Sequence, residues 1–324
     1  MSDDLATLDA TAQAALIRSG ALSPLEAVDA AIERIERVDP ELNAVIHERF
    51  ERARAEAAGP LPDGPFAGVP MVLKDLDGVS AGDPYHAGTK HLRDAGYVSD
   101  HDSWLTTRFR QMGAVFVGRT NTPEFGLLPS TEPDAYGPTR NPWDTTRSPA
   151  GSSGGSAAAV ASGMVALGHA GDGGGSIRLP ASVCGLVGLK PSRGRTSLGP
   201  EAGEAWAGLV SRLVVTRSVR DTAAVLDAVW GSAPGDPYTA PPPSRPYVDE
   251  LTAPPGALRV AFTTTSPDAS APTHPDVAAV VLGAVDALVG LGHRVDEATP
   301  AAWLDAEANT AITGHFLHAM GVWV

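Results

Sequence analysis

Two serines and a lysine carry the chemistry that this chain could perform. Ser152 lies in the turn Gly151-Ser-Ser-Gly-Gly-Ser156, Ser176 closes the turn Gly171-Asp-Gly-Gly-Gly-Ser176, and Lys74 ends the apolar run Val69-Pro-Met-Val-Leu-Lys74. Acyl transfer needs a hydroxyl, a group to take its proton, and main-chain N–H groups aimed at the oxygen that turns negative. A lysine can serve as that base once it is uncharged, and burial without a carboxylate partner moves its pKa toward neutrality. Asp75 follows Lys74 directly, but neighbours on an extended segment point to opposite faces, so the two need not pair. Gly173, Gly174 and Gly175 have no Cβ, which lets their N–H groups converge with that of Ser176 in an anion-binding nest.

Glycine/serine tracts are most often linkers. Here the first tract runs straight into Ala157-Ala-Ala-Val-Ala161, and the second leads into the apolar stretch Leu179-Pro-Ala-Ser-Val-Cys-Gly-Leu-Val187. Linkers are not flanked that way. Ser153 is expected to support the site by hydrogen bonding, and Asp172 and Arg178, at −4 and +2 from Ser176, to brace its loop. Gly151-x-Ser153-x-Gly155 also fits the nucleophile elbow of esterases. That elbow needs a strand before it, whereas residues 141–150 hold two prolines and no alternating pattern. The nine histidines show no metal-ligand spacing, and His169 reads as a core or loop residue. Cys184, in an apolar run, reads as a small buried hydrophobe. No metal and no cofactor are expected.

These residues must be positioned by an alternation of helices and strands. Ser23-Pro-Leu-Glu26 is a capping box with proline in the first turn, and Leu25, Val28, Ile32 and Ile35 share one face of a helix to about Val38. Lys74 is expected to end a buried strand. A helix over 101–112, a strand over 114–118 and a second capped helix from Ser218 to Trp230 follow. A proline cluster predicts a surface crossing without regular structure at 233–256. Beyond it come a strand (258–263), a helix (275–291), a strand (293–298) and a terminal helix. The alternation predicts an α/β fold.

With 324 residues, 43% of them hydrophobic, the chain can bury a large core. A net charge of −14 argues against binding nucleic acid or an anionic membrane. No segment reads as a membrane span. One cysteine and an acidic start with no export signal point to the cytoplasm.

Gly151-Ser-Ser-Gly-Gly-Ser-Ala-Ala-Ala-Val160, Gly174-Gly-Ser-Ile-Arg178, Cys184-Gly-Leu-Val-Gly-Leu-Lys-Pro191 and Gly68-Val-Pro-Met-Val-Leu-Lys-Asp75 together resemble the amidase signature family over roughly residues 8–300. The resemblance implies amide hydrolysis by a Ser-cisSer-Lys triad: Ser176 as nucleophile, Ser152 as the bridging serine after a cis peptide, and Lys74 as base. It implies an oxyanion hole at Gly173, Gly174, Gly175 and Ser176, and an α/β/α fold with a mixed sheet. The substrate would be a small linear or cyclic amide. Alternatives are a non-catalytic relative and a glutaminase-like amidotransferase subunit. Many family members carry Gly-Thr-Asp-Thr-Gly-Gly-Ser where this chain reads Ala170-Gly-Asp-Gly-Gly-Gly-Ser176, and the two missing threonines predict a looser loop. The chain is read as one domain over 1–324, shortened at its C-terminal side. The oligomeric state is left open, a homodimer included.

Overall fold

The computed structural model describes Ser2 to Trp323. Contacts divide these residues into two compact units, parted after Leu251. The first is built on a six-stranded mixed sheet of β1 (Val45–Glu48), β2 (Pro70–Lys74), β3 (Val115–Thr120), β4 (Leu167–Asp172), β5 (Val187–Gly188) and β6 (Ser211–Thr216). Their order across the sheet is β1-β3-β2-β4-β6-β5. β2 runs parallel to both β3 and β4, while β1, β6 and β5 pair antiparallel. Lys74 and Asp172 are therefore the last residues of two neighbouring parallel strands, the end of an α/β sheet where ligands gather.

The helix Pro24–Leu42 starts as its sequence predicts. Ser23 Oγ accepts from Glu26 N at 3.2 Å, and Ser23 N donates to Glu26 Oε2 at 2.8 Å. It runs past the expected end and carries Pro40 inside its last turn. Asn43 stops it in the left-handed region, φ 53°, where a short polar side chain is tolerated. The helix expected over 101–112 is Trp104–Gln111, because the Ser103 side chain caps it by accepting from Thr106 N. The proline-rich crossing contains one short helix, Tyr247–Glu250. Asp227 holds its start by accepting from Tyr247 N at 2.7 Å and Val248 N at 3.0 Å, a contact across sequence that local pattern does not reveal.

The helix Gly154–Ala161 lies over β1, β2, β3, β4 and β6 and is buried over nearly its whole length. Small residues permit that approach. A Cβ on Gly155 would stand 2.5 Å from Asn121 N, so a larger residue there would push the helix off the sheet. Ser156 Oγ bonds Thr120 Oγ1 and donates to His169 O, both at 2.7 Å, and so fastens the helix to β3 and β4.

Arg119 on β3 and Asp75 form an ion pair at 3.2 Å with both side chains fully buried. Asp75 also accepts from His86 N and Gly88 N. Asp75→Ala would strand the guanidinium in the interior, and breaking a buried pair this way typically costs about 3–5 kcal/mol. Chemical denaturation of that variant is expected to show a loss of this size.

The second unit, from Thr252 onward, pairs β7 (Arg259–Phe262) and β8 (Arg294–Glu297) in parallel. The helix Pro275–Gly290 connects them and packs on β8, and the helix Ala306–Trp323 follows. Element limits here lie within a few residues of those expected, the ordinary fraying of helix and strand ends.

Candidate active site

Lys74 is 1% exposed and Ser152 2%. Lys74 Nζ donates to Ser152 Oγ at 2.7 Å, which is the amine's only hydrogen bond among the described residues. The peptide between Gly151 and Ser152 is cis. Ser153 Oγ donates to Gly171 O and Gly171 N donates back to it, both at 3.3 Å, so the first glycine turn is clasped to the end of β4. Burial pushes the Lys74 amine down to about 8, against an upward pull from Asp77. An amine in that range is available as a base near neutrality.

Ser176 sits in the turn between β4 and the helix Arg178–Cys184 and is half-buried. Its carbonyl accepts from Ser153 N at 3.3 Å, which brings the two glycine turns together through their main chains. Among the described residues its hydroxyl makes no hydrogen bond. The structure thus brings Lys74 to Ser152 directly and Ser176 to that pair through backbone.

The turn before Ser176 is not loose despite its missing threonines. Asp172 accepts from Gly175 N at 2.7 Å, Ile177 N at 3.2 Å and Arg178 N at 3.4 Å. Arg178 grips the same carboxylate with two bonds of 2.8 Å. Burial would raise the Asp172 pKa, but these donors hold it below the usual carboxylate range. The N–H of Gly175 is committed to Asp172. No hydrogen bond among the described residues uses those of Gly173, Gly174 or Ser176.

His169 lies on β4, 1% exposed, with its ring edge-on to Phe109, and burial drives it down to about 3. It is a neutral core histidine. Burial raises the Cys184 thiol to about 12, far from a thiolate. Asp75 points away from Lys74 to Arg119, as strand alternation requires. Sequence reasoning missed Asp77 and Arg212, an ion pair of 2.9 Å close to Lys74. Only the register of β4 against β6 brings Arg212 there. No cluster of potential metal ligands occurs among the described residues.

This fold and cluster are those of one enzyme family. The Amidase family pattern matches residues 26–320, and the chain belongs to the amidase signature family. Over 296 residues it is 49% identical to the 6-aminohexanoate-cyclic-dimer hydrolase of Paenarthrobacter ureafaciens, covering 91% of this chain and 60% of that one. A solved structure of 6-aminohexanoate cyclic dimer hydrolase complexed with substrate superposes with a TM-score of 0.89 at 45% identity, over 98% of this chain and 67% of that one. A glutamyl-tRNA(Gln) amidotransferase subunit of Thermotoga maritima gives 0.77 at 27% identity, over 98% and 72%. The chain spans about 60% of the length of the curated hydrolases that it matches. Among the described residues no helix is long and apolar enough to cross a membrane.

Proposed function

We propose that this chain hydrolyses small linear or cyclic amides through an acyl-enzyme on Ser176, with Ser152 and Lys74 as its proton relay. The observation that carries the reading is the buried 2.7 Å contact of Lys74 Nζ with Ser152 Oγ beside the turn that holds Ser176. Ser176 Oγ attacks the amide carbon, and its proton passes by way of Ser152 to the neutral Lys74. The tetrahedral oxygen accepts from the N–H groups of Gly173, Gly174 and Ser176, while that of Gly175 keeps Asp172 in place. The proton returns through Ser152 to the leaving nitrogen, the C–N bond breaks, and water then releases the acid by the same relay run with water as nucleophile. The remaining link, Ser176 Oγ to Ser152 Oγ, is of a kind that active sites commonly close only when substrate binds.

Identity of 49% to cyclic-dimer hydrolases, against 27% to the amidotransferase subunit, favours a free-standing hydrolase over a channelled glutaminase. Incubation with 6-aminohexanoate cyclic dimer, followed by assay of newly freed amine, tests this directly. Absence of turnover on that dimer and on simple carboxamides would end the proposal.

The pH dependence has a fixed sign. Protonated Lys74 cannot accept a proton, so kcat/KM should rise about tenfold per pH unit on the acid side and level off above about 8. A profile flat from pH 6 to pH 9 would remove Lys74 from the relay.

A further inference from the structure

The chain leaves β2 after Lys74 and turns at Asp77 in the left-handed region, φ 70°. Few residues other than glycine adopt it, although aspartate is among the more tolerant. Asp77 N donates to Tyr85 Oη at 3.4 Å, and the partly buried carboxylate pairs with Nη2 of the buried Arg212 at 2.9 Å. Arg212 reaches it because antiparallel pairing of β6 with β4 sets Arg212 opposite Gly171. The absent side chain of Gly171 makes the room, since a Cβ there would collide with Asp77 Oδ2. A carboxylate close to a buried lysine is ordinarily its counter-ion, and a counter-ion would hold the amine charged.

We propose that Arg212 is a positioning residue for Lys74: by taking the Asp77 carboxylate it denies the lysine a salt bridge and leaves Ser152 as the amine's partner. The proposal rests on the reading of Lys74 as the base, but its physical content, the protonation of Lys74, can be measured without turnover.

The charges around Lys74 make this pair the balance point. Burial is the largest influence on the amine, followed by Asp77 pulling its pKa up, Arg212 pushing it down and Asp172 pulling it up from the end of β4. Asp172 is itself held by Arg178. His169, also on β4, is neutral, and burial raises the Tyr85 phenol to about 12. Arg119 on β3 donates to Lys74 O at 3.2 Å and has Asp75 as its own counter-ion. Asp77 itself, which burial would raise, is drawn below its ordinary value by Arg212 first and Lys74 second. Its charge is thus present, and what it faces decides the state of the amine.

The sequence offers a clean readout because it has only three lysines, Lys74, Lys90 and Lys190. In the full chain labelled with 13C at lysine Cε, NMR should show three resonances, that of Lys74 being the one lost in Lys74→Met. Titration should place its midpoint well below those of the other two. In Arg212→Met the midpoint is expected to rise by about one pH unit or more. In Asp77→Asn it should fall, and in the Asp77→Asn background Arg212→Met should displace it much less, as a coupled pair requires. A midpoint that stays or falls in Arg212→Met, or an equal displacement in both backgrounds, overturns the proposal. Should Arg212→Met not fold, Asp77→Asn decides: a Lys74 midpoint that does not fall sinks it. If every chain, the parent included, lacks amidase activity while the midpoints move as stated, the hydrolase reading fails and the assignment of Arg212 stands.

Discussion

Ser176→Ala is expected to lower kcat for amide hydrolysis by about four orders of magnitude or more, because removing the attacking oxygen of a relay that acts as a unit costs nearly the whole of its contribution. The fold should survive, since the hydroxyl makes no hydrogen bond among the described residues. Reaction with a fluorophosphonate followed by peptide mapping gives an independent reading: the label should appear on the peptide containing Ser176 and vanish in the variant. Ser153→Ala offers the contrast. That hydroxyl only clasps Gly171, so its loss should slow the enzyme modestly and leave labelling in place. Label on Ser153, with Ser176→Ala still active, would establish the elbow mechanism instead.

Lys74→Met is the second large effect. The methionine fills similar volume but accepts no proton, and loss of a positioned base typically costs about 10²–10⁴-fold. The variant should unfold at the same temperature as the parent or higher, because an amine held in an apolar site is disfavoured and a thioether is not. Loss of rate together with retained stability separates a chemical role from a structural one. Near-parent turnover in a well-folded Lys74→Met chain would contradict the relay. Kinetics and thermal melting on one preparation supply both numbers.

Features with a local cause could be read from the sequence. The capping box at Ser23 and the N-cap at Ser218 fix helix starts by contacts three residues long, and Lys74 follows a short apolar run that reads as a buried strand. The glycine turns announced themselves by composition and by the apolar segments beside them. β4 was hidden, because Leu-Gly-His-Ala-Gly-Asp has no alternation and little β propensity. It is a strand because β2 and β6 clasp it on either side. β1 and β5 are short and owe their form to their partners in the same way. The site divides likewise. Lys74, Ser152 and Ser176 lie in segments with a recognisable pattern, and Asp172 with Arg178 sits close enough in sequence to be suspected. Asp77 and Arg212 belong to distant segments, and their meeting is a product of strand register and of one missing methyl group at Gly171.

Seclusion of Lys74 also bears on handling the protein. Amine-directed reagents, whether a fluorophore, a biotin ester or an activated resin, would find the lysines Lys90, which is exposed, and Lys190, which is half-buried, while the third is shut away. Coupling to a solid support through lysine should therefore fasten the molecule at one or two known anchors and spare its chemistry.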